Sequence, residues 1–162
     1  MSLGGGYMLS SREGRQIPAI GLNITAKATG ENTKDAYSLF EYAIPGGVSG
    51  PPPHVHTRED ESFICLAGKL DVMLGGEDVT IGHGDYLLLP RDVVHTFRNP
   101  YDDEARVISV VSPAGLEAYY QALADLPPGP KDISVMKAIM ADFGIELRLP
   151  EGAAAPGAGT PS

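Results

Sequence analysis

Pro51 to Gly68 reads PPPHVHTREDESFICLAG, and the rest of the chain is arranged around it. His54 and His56 stand one residue apart, and Glu61 follows after four more residues. In an extended chain alternate residues face one side, and each residue advances about 3.3 Å. Both imidazoles can therefore aim at one spot, about 6–7 Å apart along the strand. Thr57 to Asp60 is short and polar, enough to turn the chain and return Glu61 to that spot. Two neutral ring nitrogens and a carboxylate oxygen form a donor set that divalent transition metals accept. The prolines before His54 stiffen the approach and limit how far the pair can wander.

A second stretch, Gly84 to Asn99, reads GDYLLLPRDVVHTFRN. Together the two stretches resemble the paired sequence motifs of the cupin superfamily. The first motif there runs roughly G-x5-H-x-H-x3,4-E-x6-G, and His54, His56, Glu61 and Gly68 fit it. Its opening glycine is shifted: Val48 holds that position, with Gly46, Gly47 and Gly50 nearby. The second motif runs roughly G-x5-P-x-G-x2-H-x3-N, and Gly84, Pro90, His95 and Asn99 fit it. Asp92 stands where the family usually has glycine. Aspartate tolerates positive φ better than most residues, so the turn can survive. The resemblance covers positions 37 to 112.

The resemblance implies an all-β fold, a single jelly-roll barrel of six to eight strands with a metal inside. One strand pair would deliver His54, His56 and Glu61, and a strand of the second motif would bring His95 across the barrel. The cofactor would be one divalent transition metal: Fe, Mn, Ni, Co or Zn. By parity Glu59 competes with Glu61 for the ligand role, and the motif spacing favours Glu61. Around the ligands the sequence is most similar to small single-domain cupins of the quercetinase-like (quercetin 2,3-dioxygenase-like) group. That likeness implies a dioxygenase acting on a small aromatic or enolic substrate. Glu61 would be the general base, and Phe63, Cys65, Val93 and Phe97 would shape the pocket. A metal-dependent isomerase or decarboxylase of a sugar or small acid is the second reading. It would recruit cations such as Arg58, Arg91 or Arg98. A non-catalytic small-molecule-binding cupin is the third. A homodimer is expected too, because the N-terminal strand would otherwise leave an unpaired edge.

Along the chain, residues 1–16 form a Gly- and Ser-rich arm expected to be flexible, and 17–112 the barrel. Apolar alternation from Ile17 to Ala28 predicts a strand, Gly30 to Thr33 a turn, and Tyr37 to Ile44 the next strand. Short strands follow at Phe63–Leu66, Lys69–Leu74, Val79–Ile81, Tyr86–Leu89, Val93–Phe97 and Ala105–Val111. Residues 113–149 form a helical extension packed on the barrel. Two helices are predicted there, one carrying Leu116, Tyr119, Tyr120 and Leu123, the other Ile133, Met136, Ile139 and Met140. Gly144 marks a stop, and residues 150–162 are low-complexity and expected to be disordered.

Composition excludes other classes. With 12 Lys and Arg against 21 Asp and Glu the net charge is −9, which argues against nucleic acid or an acidic membrane as partner. No apolar run reaches the ~18 residues of a membrane span, and no secretory leader is visible, so a cytoplasmic protein is expected. One cysteine allows no intrachain disulfide. Cys65 reads as a small buried apolar residue, and His83, between two glycines, as a surface one.

Overall fold

The alternation of Ile17 to Ala28 turns out to be two strands, not one. In the computed structural model, which describes residues 4–129 and 132–148, β1 (Arg15–Ala19) pairs antiparallel with β2 (Leu22–Ala28). Ile20 and Gly21 make the turn, with φ of 51° and 73°. Two successive positive φ values are what a two-residue hairpin of right-twisted strands requires. Gly21 was the signal for it. A one-turn helix, α1 (Gly30–Thr33), replaces the turn expected there. The chain then runs through β3 (Ser38–Ile44), β4 (His54–His56), β5 (Asp60–Ala67), β6 (Lys69–Leu74), β7 (Glu77–Gly82), β8 (Tyr86–Leu89), β9 (His95–Arg98) and β10 (Ala105–Ser112). Helices α2 (Leu116–Ala124) and α3 (Ile133–Asp142) follow, and a short strand, β11 (Ile145–Leu147), closes the described chain. There are thus three helices among the described residues, where two were expected. The expected disordered tail, 150–162, lies outside the described residues, as do 1–3, 130–131 and 149.

The strands form two sheets, in the orders β1-β2-β3-β10-β5-β8 and β11-β4-β9-β6-β7. The expectation of one closed barrel is corrected: these are two facing sheets of a jelly roll, not a continuous ring of ladders. Between β4 and β9 only His54 and His95 pair. Pro51, Pro52 and Pro53 precede that point, and proline has no N–H to extend a ladder. The inner faces meet in one core. Phe40, Tyr42, Phe63 and Val107 of the first sheet pack with Leu70, Val72, Ile81 and Phe97 of the second. Phe63 lies edge-on to both Tyr42, at 6.1 Å, and Phe97, at 5.8 Å. Each such fully buried side chain contributes about 1.5–3 kcal/mol relative to exposure.

Local details at Asp92 and Gly144 match the expectations, and two more explain a turn and a helix start. Asp92 adopts φ 62°, the conformation that glycine would supply there. Gly75 and Gly76, both at positive φ, turn β6 into β7. Asp132 caps α3 by accepting from Ser134 N–H at 2.8 Å, and Gly144, at φ 69°, stops it. Strand β9 begins two residues later than expected. Val93 N–H bonds back to Pro90 O at 3.3 Å, so Val93 and Val94 belong to the turn. Among the described residues no helix is long and apolar enough to cross a membrane.

Candidate metal centre

His54 and His56 sit on β4 with one residue between them, so strand alternation sends both rings to one side. His95, first residue of β9, is the direct cross-strand partner of His54. The three rings close a triangle with centroid separations of 5.1, 4.6 and 5.2 Å. One nitrogen from each lies within 4.8 Å of the others. All three residues are buried.

The outer nitrogens explain why the inner ones converge. His54 Nδ1 donates to Pro52 O at 2.8 Å, and His95 Nδ1 to Val93 O at 3.0 Å. His56 Nδ1 pairs with Glu59 Oε1 at 2.9 Å. A carbonyl or carboxylate oxygen accepts only, so each Nδ1 carries the hydrogen, and Nε2 of a neutral ring keeps its lone pair. Fixing a tautomer through the far nitrogen is how proteins orient imidazole ligands. Glu59, weighed from the sequence as a rival ligand, therefore stands behind His56 and aims it. His95 Nε2 is buried and has no hydrogen-bond partner among the described residues. An orphaned buried acceptor costs about 1–3 kcal/mol. A divalent cation removes that cost, and three neutral imidazoles suit it. The residues present fit a metal.

Glu61, on β5, adjoins this triangle. Its Oε2 lies 3.9 Å from His56 Nε2 and 3.6 Å from His95 Nε2. Its Oε1 accepts from Ser109 Oγ at 2.6 Å and from the Tyr42 hydroxyl at 3.2 Å. Burial alone would raise this carboxyl; the nearness of His95 and His56 and the Ser109 hydroxyl outweigh it and hold it at about 2. His54 is pushed down to about 3 by burial first, then by His95 and His56. Sequence reasoning missed Ser109 and Tyr42. The signal was available in their parity, a small hydroxyl and a phenol on the inward faces of β10 and β3.

Both shifts act on stability in one direction. Between pH 6.5 and about 3 the unfolded chain binds a proton at His54 that the metal-free fold refuses. Glu61 adds stability above pH 4.5 that is lost as pH falls toward about 2. The urea midpoint of metal-free protein should therefore drop from pH 7 to pH 5. His54→Asn should flatten this slope; a midpoint that rises on acidification would contradict the assignment.

The histidines open into a cavity of about 330 Å³, within the range of small-molecule sites. Its walls are largely apolar: Ile20, Phe97, Ile133, Met136, Met140 and Ile145 contribute, beside Tyr119 and Tyr120. Of the four residues expected to shape it, Phe97 does. Phe63 and Cys65 share the inward face of β5 with Glu61, as parity requires, but neither lines the cavity. Cys65 lies four residues on, about 13 Å along the strand, and its thiol reaches Ala67 O at 3.5 Å. Val93, in its turn, packs near Gly75 instead. The helices, whose part in the cavity was open in the sequence, supply the missing wall. His83 is exposed and bonds to Leu66 O at 2.7 Å.

Residues 40–111 match the family model described as cupin domain. Quercetin 2,3-dioxygenase of Bacillus subtilis is 35% identical over 94 residues, which is 57% of this chain and 27% of that protein. Quercetin 2,3-dioxygenase of Aspergillus japonicus is 29% identical over 101 residues, 59% of this chain and 29% of that one. The chain thus spans less than a third of the length of either relative. Among solved structures, a predicted oxalate decarboxylase from Thermotoga maritima superposes with a TM-score of 0.59 at 20% identity, covering 66% of this chain and 99% of that chain. That likeness speaks for the fold.

Proposed function

Because residues 40–111 match the cupin-domain model and the chain resembles the quercetin 2,3-dioxygenases, we propose a metal-dependent dioxygenase for a small aromatic or enolic substrate. The observation that carries this reading is the convergence of three buried histidine nitrogens, with one free carboxylate oxygen beside them, on an apolar cavity. His54, His56 and His95 would hold the metal, with Glu61 Oε2 as the fourth ligand. When bound, the metal would supply Lewis acidity and orient the substrate oxygen.

The chain's own groups do the rest. Glu61 is ionised and buried beside the proposed metal position, so it can take the proton of a substrate enol or catechol as a general base. Phe97, Ile145, Met136 and Met140 pack a flat apolar body and exclude water. Cleavage of a carbon–carbon bond by dioxygen would follow from the deprotonated substrate.

The isomerase or decarboxylase reading needs cations at the site, and the three arginines that could have served are engaged elsewhere. Arg58 donates to Asp142 O at 2.8 Å, Arg91 pairs with Asp60 at 2.8 Å, and Arg98 lies near Asp71 and Asp78 at 3.5 and 3.8 Å. None lines the cavity; Lys137 is the one Lys or Arg among its described lining residues.

The homodimer belongs to this proposal as well. Ile64, Tyr86 and Leu88 stand exposed on adjacent strands at the β8 edge of the first sheet, a face a second copy could cover. A monomeric mass by light scattering would reject it.

Elemental analysis of untagged protein, followed by oxygen uptake with flavonols and catechols, tests the activity. Near-stoichiometric iron, manganese, nickel or cobalt with substrate-dependent oxygen uptake is expected. Turnover without oxygen consumption would favour the isomerase or decarboxylase, and a metal-free protein even after reconstitution would remove the mechanism.

A further inference from the structure

We infer that Tyr120, on α2, is a positioning residue that sets the orientation of Glu61 through Tyr42. The inference rests on the reading of His54, His56 and His95 as metal ligands. Three hydroxyls and one carboxylate form a buried chain. Ser109 Oγ and the Tyr42 hydroxyl both donate to Glu61 Oε1, at 2.6 and 3.2 Å. The Tyr42 and Tyr120 oxygens are 2.7 Å apart. A phenol carries one proton. Tyr42 gives its proton to Glu61, so the contact between the two phenols must run from Tyr120 to Tyr42. Tyr120 therefore fixes the direction of the whole chain.

The consequence falls on the carboxylate. Among the described residues two hydroxyls converge on Oε1 and none on Oε2, so the two oxygens differ. Rotating Glu61 would break both bonds inside a buried site, where each unmet group costs more than in water. Oε2 is thereby held toward His56 and His95, at 3.9 and 3.6 Å. Glu61 would present a single oxygen to a cation. Tyr120 is itself held. It is 6% exposed, lies edge-on to Phe40 at 5.3 Å and contacts Tyr119 at 5.5 Å. Since Tyr120 lies beyond residues 40–111, a helix outside the matched cupin stretch completes the centre.

The test is Zn(II) affinity of the metal-free full chain, measured by competition with a chromophoric chelator. Loss of a group that orients a ligand commonly weakens metal binding by about 10–100-fold. Tyr42→Phe, which removes a direct donor to Glu61, should weaken Zn(II) by about tenfold. Tyr120→Phe, one step further out, should weaken it by about three- to tenfold, below the 10–100-fold typical of a direct orienting group. In a Glu61→Ala background the same Tyr120→Phe change should matter by less than about twofold, because it acts only through that carboxylate. Equal losses with and without Glu61 would overturn the inference, as a general loosening of α2 produces that pattern. So would an unchanged affinity in the otherwise wild-type chain. If His95→Ala leaves Zn(II) affinity untouched, the ligand reading itself falls and takes this inference with it.

Discussion

His95→Ala protein should lose its metal, with affinity falling by more than roughly a hundredfold, beyond the 10–100-fold expected for an outer orienting group. His83→Ala should retain the wild-type content. The contrast follows from position. His95 Nε2 is buried and without a hydrogen-bond partner among the described residues, and one nitrogen of His95 lies within 4.8 Å of one from each of His54 and His56. His83 is exposed on a turn and already engaged with Leu66 O. Four groups would share the binding free energy, and removal of His95 would leave two imidazoles and the Glu61 carboxylate. Inductively coupled plasma analysis of the two variants, prepared side by side, decides the matter. Equal metal contents would mean that the triangle is not the binding site.

Phe63→Ala should destabilise the fold by about 3–5 kcal/mol, the range for truncating a buried aromatic ring. Phe63 is 1% exposed and wedged between Tyr42 and Phe97, joining the two sheets. The surrounding strands are held by ladders on both sides of β5 and cannot collapse into the void. Yet Phe63 does not line the cavity, so metal content per folded molecule should survive the substitution. Urea unfolding gives the first quantity and metal analysis of the folded fraction the second. A stable variant with altered ligand binding would make Phe63 a pocket wall after all.

These two expectations mark how far the sequence could be read. The spacing of His54, His56, Glu61 and His95 is local information, because strand alternation and fixed turns translate it directly into directions. Asp92 likewise announced its turn. The reading failed where position along a strand mattered. Parity places Phe63 and Cys65 on the inward face but does not say how far the cavity extends, and that depends on which helix roofs it. Ile20 was read as a strand residue because its alternation continued into Leu22; the turn depends on two positive φ values, of which only Gly21 gave notice. The Glu59 contact to His56 and the Tyr42–Tyr120 bond could not be read at all. One depends on how the Thr57–Asp60 turn folds, and the other joins residues 78 positions apart.

β11 pairs Ile145 with His56 and Leu147 with His54, on the side of β4 away from β9. Without it, β4 would be the outermost strand of its sheet, with a row of backbone N–H and C=O groups offered to any passing chain. A three-residue segment near the end of the described chain thus shields the ligand strand from intermolecular strand addition. Removal of β11 would bare the backbone edge of the strand that carries His54 and His56.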